Sequence, residues 1–504
     1  MNLKQKIGFA VGIIGAVLIL FIFELNPQNP DTTRMAAVAF LMAVWWITEA
    51  IPLAATSLLP LILFPTLGIF NGEQIASSYI NSTIFLFLGG FIIALSMEKW
   101  NFHKRIALRI ILLFGGKPNS IVLGFMTASA FLSMWISNTA TAVMMLPIGL
   151  AIINEIEENS SVEKAHNLTV GILLGIAYSC SIGGITTLIG TPPNLSFVRI
   201  LHIIFPSAPE ISFANWIQMV FPISIIMFTS TWFLLTKVLY RIPKELSLKR
   251  EVILEQYSSL GKISFEEKSV GLVFLFTALL WIFRSSLNLG FAVLPGWSTL
   301  FSNPEFINDG TVAIGMALIL FVIPTKNNSD HKMLIDHKIF QKVPWGIILL
   351  FGGGFALAKG FIVSGLSESI GNQFAAMKGF NPFYLMLSVG SGITFLTELT
   401  SNTATAEMIL PILASISVAL GLNPLLLMMN ATISASMAFM LPVATPPNAV
   451  IFASNRIKIS EMVKAGILLN LIGIIVISLF VYLFGTLIFE INLTQFPEWA
   501  VPAK

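Results

Sequence analysis

The chain has 504 residues, of which 56% are hydrophobic and 11% charged, with 28 Lys and Arg against 25 Asp and Glu for a net charge of +3. A soluble domain carries about a quarter charged residues because its surface faces water, so this composition excludes an ordinary soluble protein and assigns most of the chain to a lipid bilayer. The small net charge gives no reason to expect a nucleic-acid partner. The single cysteine, Cys180, excludes an intrachain disulfide and reads as a small core residue.

A helix crosses the hydrocarbon core in about 20 mostly apolar residues. In chain order, spans are expected at about 7–25, 35–50, 53–70, 80–98, 168–199, 214–236, 268–288, 310–324, 345–365, 424–454 and 463–489. The first precedes Glu24-Leu25-Asn26-Pro27 rather than a small-residue cleavage site, so it reads as a retained span and not a signal peptide. Two further apolar stretches, 119–153 and 383–420, are each interrupted near the middle by Ser-Asn-Thr. They read as re-entrant hairpins, whose irregular tips are tolerated where protein or a water-filled cavity surrounds them.

With the N-terminus inside, this count places 22 of the 28 Lys and Arg in cytoplasmic segments, leaving Arg34, Arg199, Arg284, Lys359, Lys378 and Lys504 elsewhere. The inside set includes Lys4, Lys104, Arg105, Lys164, Lys237, Lys244, Lys249, Arg250, Lys338, Arg456 and Lys464. Short cytoplasmic loops carry such an excess, so eleven spans and two hairpins, N-terminus in and C-terminus out, form a self-consistent topology. Segment 99–117 mixes cations with apolar residues at helical spacing and is expected either along the inner membrane surface or as an ordinary basic loop. The stretch 241–268 is mixed in sign and reads as a solvated loop.

The two halves repeat each other. Ser137-Asn138-Thr139-Ala140-Thr141 recurs as Ser401-Asn402-Thr403-Ala404-Thr405, a shift of 264 residues. The same shift carries Gly89, Gly90 and Pro147 onto Gly353, Gly354 and Pro411. Gly190-Thr191-Pro192-Pro193-Asn194 answers Ala444-Thr445-Pro446-Pro447-Asn448 at a shift of 254. One pentapeptide alone would be weak evidence; the ordered series is strong. In the topology above, the first hairpin enters from inside and the second from outside, so the repeats are inverted, an arrangement that builds a midplane site in transporters.

Thr-Pro-Pro-Asn breaks an apolar helix, because proline removes a donor and disfavours helix in the residue before it. The freed carbonyls, with Ser and Thr hydroxyls and Asn amide oxygens, are hard donors suited to alkali cations. The half-helix after each break presents unpaired N–H groups and a positive dipole end to an anion. No Lys, Arg or His lies in either motif pair, so bound cations, amides and hydroxyls must balance an anionic substrate. Small hydroxyl residues also mediate ordinary helix packing in membranes; the pairing of both motifs in both halves favours a site. Glu49, Glu398 and Glu407 lie in or near apolar segments, where an ionisable group suggests function; Glu398 either braces the hairpin tip or serves coupling. Lys359 is expected to snorkel or pair. The five histidines, His103, His166, His202, His331 and His337, fall in expected loops. With no metal-ligand spacing, P-loop or dinucleotide fingerprint, neither an enzyme nor ATP-driven transport is expected.

These paired motifs resemble those of the divalent anion:sodium symporter family, and the resemblance covers nearly the whole chain. It implies an all-α integral membrane protein working as a homodimer, with scaffold and transport domains and an elevator-like motion. The segments would be 1–79 (scaffold), 80–213 (first transport repeat), 214–344 (scaffold and cytoplasmic loops), 345–462 (second transport repeat) and 463–504 (last helix and tail). The resemblance further implies one sodium site at Ser133, Ser137, Asn138 and Gly190 and another at Thr397, Ser401, Asn402 and Ala444. Substrate carboxylates would meet Asn138, Thr139, Asn402 and Thr403, with Thr191, Thr445 and Pro446 lining the pocket. The expected function is sodium-coupled symport of a C4-dicarboxylate across a bacterial plasma membrane. A dicarboxylate or citrate exchanger and a sulfate symporter are the alternatives within the family, and an ion channel is the rival outside it.

Overall fold

The computed structural model describes residues 1–159, 162–243, 251–288, 292–326, 332–493 and 495–501. Lys244, Lys249, Arg250, His331 and Lys504, and the side chain of Lys164, lie outside the described set. Among the described residues the chain is mostly helical, and eight helices are long and apolar enough to cross a membrane. Extended pairing there is confined to a two-residue ladder, Leu287–Asn288 with Val293–Leu294, and one bridge between Pro324 and Met333.

Local sequence sets the helix boundaries. Three helices begin at Asn-Pro: Pro30–Thr48, Pro382–Thr397 and Pro424–Ser434. In each, the Asn side chain accepts from a backbone N–H two residues on, at 3.2 Å for Asn29, 2.9 Å for Asn381 and 3.0 Å for Asn423. Proline at the first position sacrifices an N–H that had no helical partner, so the cap and the ring act together. Gly68 and Gly421 end their helices at φ +75° and +70°, a left-handed conformation that glycine adopts without penalty.

Each expected span corresponds to helix, and four expectations are corrected, one of them a span. Stretch 53–70 is two short helices, Leu53–Thr56 and Leu59–Leu67, because the backbone at Ser57 is drawn into tertiary bonds: its carbonyl accepts from Tyr79 Oη at 2.6 Å and its hydroxyl from Trp46 Nε1 at 3.2 Å. Stretch 241–268 is not simply a loop. It contains the helix Glu251–Ser259, seated through the buried Ile253, and the start of Phe265–Ile282. Arg105, on the amphipathic helix Phe102–Leu113, clamps that region by reaching Glu267 and the carbonyls of Leu260 and Gly261 at 3.0–3.1 Å. Three histidines expected in loops are helical: His103 in Phe102–Leu113, His166 in Val162–Gly184 and His202 in Pro192–Ile204. His103 stands at the start of its own amphipathic helix, while His166 and His202 lie near the first and last turns of theirs. Finally, Glu49 is no interior group; it is an exposed left-handed helix C-cap.

The chain folds into two interlocked repeats. Each contains a helical hairpin, Pro118–Ser133 with Asn138–Asn159 and Pro382–Thr397 with Asn402–Leu420. Each also contains an interrupted helix, Val162–Gly184 followed by Pro192–Ile204, and Pro424–Ser434 followed by Pro446–Phe452. First arms pack on the interrupted helix of their own repeat, and second arms pack both on their own and across: Asn138–Asn159 on Val162–Gly184 and Pro446–Phe452, and Asn402–Leu420 on Pro424–Ser434 and Pro192–Ile204. The repeated glycines explain how neighbours approach. A Cβ on Gly89 would lie 2.7 Å from Ala313 O, and one on Gly353 would lie 2.7 Å from Ser57 O. Backbone-to-backbone contact at those points leaves no room for a side chain.

Candidate functional site

Both Ser-Asn-Thr tips start helices in the same way. Ser137 Oγ accepts from Ala140 N at 3.2 Å, and Ser401 Oγ from Ala404 N at 3.5 Å, so each serine is a helix cap. The asparagine that follows is the first residue of its helix and turns back on the preceding arm. Ser133 Oγ bonds to Asn138 Oδ1, and Thr397 Oγ1 donates to Asn402 Oδ1 at 2.6 Å. These are equivalent contacts under the 264-residue shift.

The first tip is dense in oxygen. Asn138 Oδ1 faces Cys180 O at 3.2 Å and Gly190 O at 3.3 Å as well as Ser133 Oγ. Turning the amide would make its nitrogen a donor to all three; as placed, four oxygens converge without an N–H among them. That donor set suits either an amide nitrogen or a bound alkali cation. Glycines create the space: a Cβ on Gly184 would sit 2.5 Å from Asn138 Oδ1, and one on Gly190 would sit 3.0 Å from Ser133 O. At the second tip, Thr397 Oγ1 also reaches Ala435 O at 2.9 Å. Ala444 is buried in the adjoining break, and no bond from it to Asn402 is present among the described residues.

The two breaks are held open by asparagine. Asn194 Nδ2 donates to the carbonyls of Gly184 (3.5 Å), Ile185 (3.2 Å) and Thr187 (2.7 Å). Asn448 Nδ2 donates to Ala438 O (3.2 Å) and Leu441 O (3.1 Å). Gly184 and Thr187 become Ala438 and Leu441 under the 254-residue shift, so the motif asparagines satisfy the same freed carbonyls in each half. A buried carbonyl left unpaired costs about 1–3 kcal/mol, which is why an irregular segment here needs an internal donor. Thr191 and Thr445 stand at the N-termini of the half-helices, both buried; Thr445 Oγ1 accepts from Asn448 N at 3.3 Å. Pro446 is exposed beside Thr445. Thr139 and Thr403 occupy the second residue of their helices, the first exposed and the second buried, and their hydroxyls have no hydrogen bond among the described residues.

Two residues mattered more than sequence reasoning indicated. Glu398 braces the second break: its carboxylate accepts from the N–H groups of Phe439, Met440 and Leu441 at 2.8–3.0 Å and from Asn470 Nδ2 at 2.7 Å. Thr187 ties the first break to its tip, donating to Met134 O and accepting from Gly190 N at 3.1 Å. Only the position of Glu398, three residues before Ser401 in an apolar stretch, offered a signal; Thr187 offered none. Lys359 lies away from the site, bonded to Gln74 O at 3.0 Å and placed over the Phe70 ring. Cys180 is buried as expected, but its carbonyl faces Asn138.

Known proteins resemble this chain in sequence or in fold. The chain is 43% identical over 501 residues to the sodium-dependent dicarboxylate transporter SdcS of Staphylococcus saprophyticus, covering 98% of this chain and 94% of that one. It is 44% identical over 519 residues to the protein of the same name from Staphylococcus aureus, covering 98% and 95%. Among solved structures, MtrF of Neisseria gonorrhoeae matches 94% of this chain and 98% of its own with a TM-score of 0.57 at 14% identity. The Alcanivorax borkumensis YdaH transporter matches 89% and 98% with a TM-score of 0.55 at 12% identity; these two are likenesses of fold alone. Matched over residues 5–491 by the family described as sodium:sulfate symporter transmembrane region, the chain belongs to that family.

Proposed function

We propose that the protein is a secondary carrier, not an enzyme, which moves a C4-dicarboxylate such as succinate, malate or fumarate together with sodium. The observation that carries this reading is the doubled oxygen cluster, Ser133–Asn138 and Thr397–Asn402, each beside a broken helix held by asparagine. Two cations bound there would offset a dianion, which matches a site that has no lysine or arginine in its motifs. The relatives named as sodium-dependent dicarboxylate transporters support both the ion and the substrate class. The family description also names sulfate, a smaller dianion that the same neutral donors would accommodate.

In this reading Ser133, Ser137, Asn138 and the carbonyl of Gly190 hold one sodium, and Thr397, Ser401, Asn402 and the carbonyl of Ala444 the other. Asn138, Thr139, Asn402 and Thr403 meet the carboxylates, while Thr191, Thr445 and Pro446 close the pocket. The hairpins enter the bilayer from opposite sides within eleven spans, with the N-terminus in the cytoplasm and the C-terminus outside a bacterial plasma membrane. Segments 80–213 and 345–462 form a transport domain that moves against scaffold segments 1–79 and 214–344 in a homodimer, with 463–504 the last helix and tail. The cross-packing of second arms supports their moving as one body. The test is uptake of labelled succinate into proteoliposomes with sodium or choline outside. The reading expects uptake to collapse in choline; equal uptake in both would exclude sodium coupling. A panel including citrate and sulfate then ranks the anions.

A further inference from the structure

The second hairpin contains a carboxyl group that the sodium and substrate sites do not use. Glu407 is fully buried. Its Oε1 bonds to the hydroxyl of Ser196 on the half-helix Pro192–Ile204, and its Oε2 has no partner. The side chain presses on the backbone of helix Trp345–Val363, where a Cβ on Gly354 would overlap Oε2. It forms part of the wall of a cleft of about 310 Å³ otherwise lined by apolar groups such as Ala36, Phe40, Leu357 and Phe361. No cation among the described residues pairs with it. On the packed elements, Arg34 is paired with Asp31, Lys359 bonds to Gln74 O, and Glu398 is occupied by backbone N–H groups. Arg199 and His202 line a different cleft with Glu210 and Asp309. Glu368 and Tyr384, on Leu366–Gln373 and Pro382–Thr397, are the remaining titratable groups, and Pro424–Ser434 has none.

Packing alone does not need this pair. Under the repeat shifts, Glu407 corresponds to Val143 and Ser196 to Val450, so the other half has apolar residues at both positions, with Val143 exposed. An unpaired carboxylate in such a place is costly to ionise, and it would resist sliding along an apolar neighbour. We propose that Glu407 is a proton-binding site: its carboxylate takes one proton from water to become a carboxyl, and the transport segments move along the scaffold helix Pro30–Thr48, whose Ala36 and Phe40 share the Glu407 cleft, only with that proton bound. This rests on the carrier reading above.

The test is the pH profile of sodium-driven succinate uptake into proteoliposomes between about pH 6.5 and 9, for the wild type, Glu407→Gln and Glu407→Val. The wild-type rate is expected to fall with rising pH, by up to about tenfold per unit beyond the midpoint of a single titrating group, whereas both variants stay flat. Succinate's own protonation acts on all three equally and cancels in the comparison. Superimposed profiles, or a flat wild type, overturn the proton site. Absence of sodium-dependent uptake by the wild type at every pH overturns the carrier reading instead. Should neither variant reach the vesicles, Ser196→Ala decides: removing the carboxyl's one hydroxyl partner displaces the wild-type decline along the pH axis, and an unmoved decline overturns the proposal.

Discussion

The two halves of the protein solve one structural problem with different chemistry. Each must hold a helix open beside a hairpin tip, and each uses the motif asparagine, Asn194 or Asn448, to satisfy the freed carbonyls. The ties between tip and break are reversed. In the first half Thr187, in the break, donates to Met134 O at the tip. In the second, Glu398 at the tip accepts from N–H groups in the break. Met134 and Glu398 are equivalent positions, as are Thr187 and Leu441. The repeat therefore preserves geometry, while the direction of the bond and its strength are free to differ. A charged acceptor serving four donors is worth more than a hydroxyl serving two partners.

That contrast can be broken most sharply at the braces. Glu398→Ala leaves four buried donors without an acceptor and is expected to lose about 3–5 kcal/mol, whereas Thr187→Val loses about 1–3 kcal/mol. Thermal unfolding in detergent measures both, and a larger loss for Thr187→Val would refute the ranking. Next come the asparagines at the tips. Asn138→Ala and Asn402→Ala each remove a proposed ion ligand and are expected to reduce sodium-dependent uptake at least by the roughly 10–100-fold that even outer-shell partners are worth. Wild-type rates from either inserted variant would remove that residue from the site.

A third comparison concerns the carbonyls beside the tips. Gly190→Ala places a methyl 2.4 Å from Gly184 O, and overpacking of this kind costs about 1–3 kcal/mol. The second half already carries alanine there, so Ala444→Gly should cost about 1 kcal/mol or less. Sodium titration of uptake reads the difference; equal effects would mean the two sites are shaped alike. The smallest effects belong to the caps. Ser137→Ala and Ser401→Ala are expected to cost about 0.5–2 kcal/mol each, with Ser137 the larger because its bond is shorter. A reversed order in unfolding experiments would show that Ser401 does more than cap.

The sequence made some of this legible and hid the rest for identifiable reasons. Repeated motifs exposed both tips and both breaks, because Ser-Asn-Thr and Thr-Pro-Pro-Asn are conspicuous in an apolar chain. Gly89 and Gly353 were visible as a repeat, but their purpose depends on Ala313 and Ser57, which lie more than 200 residues away in sequence. Separation in sequence also concealed the bonds of Glu398 to residues 439–441, about 40 residues on, and of Glu407 to Ser196, 211 residues back. The division at Ser57 was hidden too, since Trp46 and Tyr79, which hold it, look like ordinary apolar residues. Local signals thus located the tips and breaks, and long-range contacts determined how each half supports them.

The central claim is that two equivalent tips each contribute a cation site. It is tested most directly by measuring labelled sodium and labelled succinate entering the same proteoliposomes under a sodium gradient. At least two sodium ions per dicarboxylate are expected for the wild type. A ratio of one, or succinate entry without sodium, would contradict a cation site at each tip.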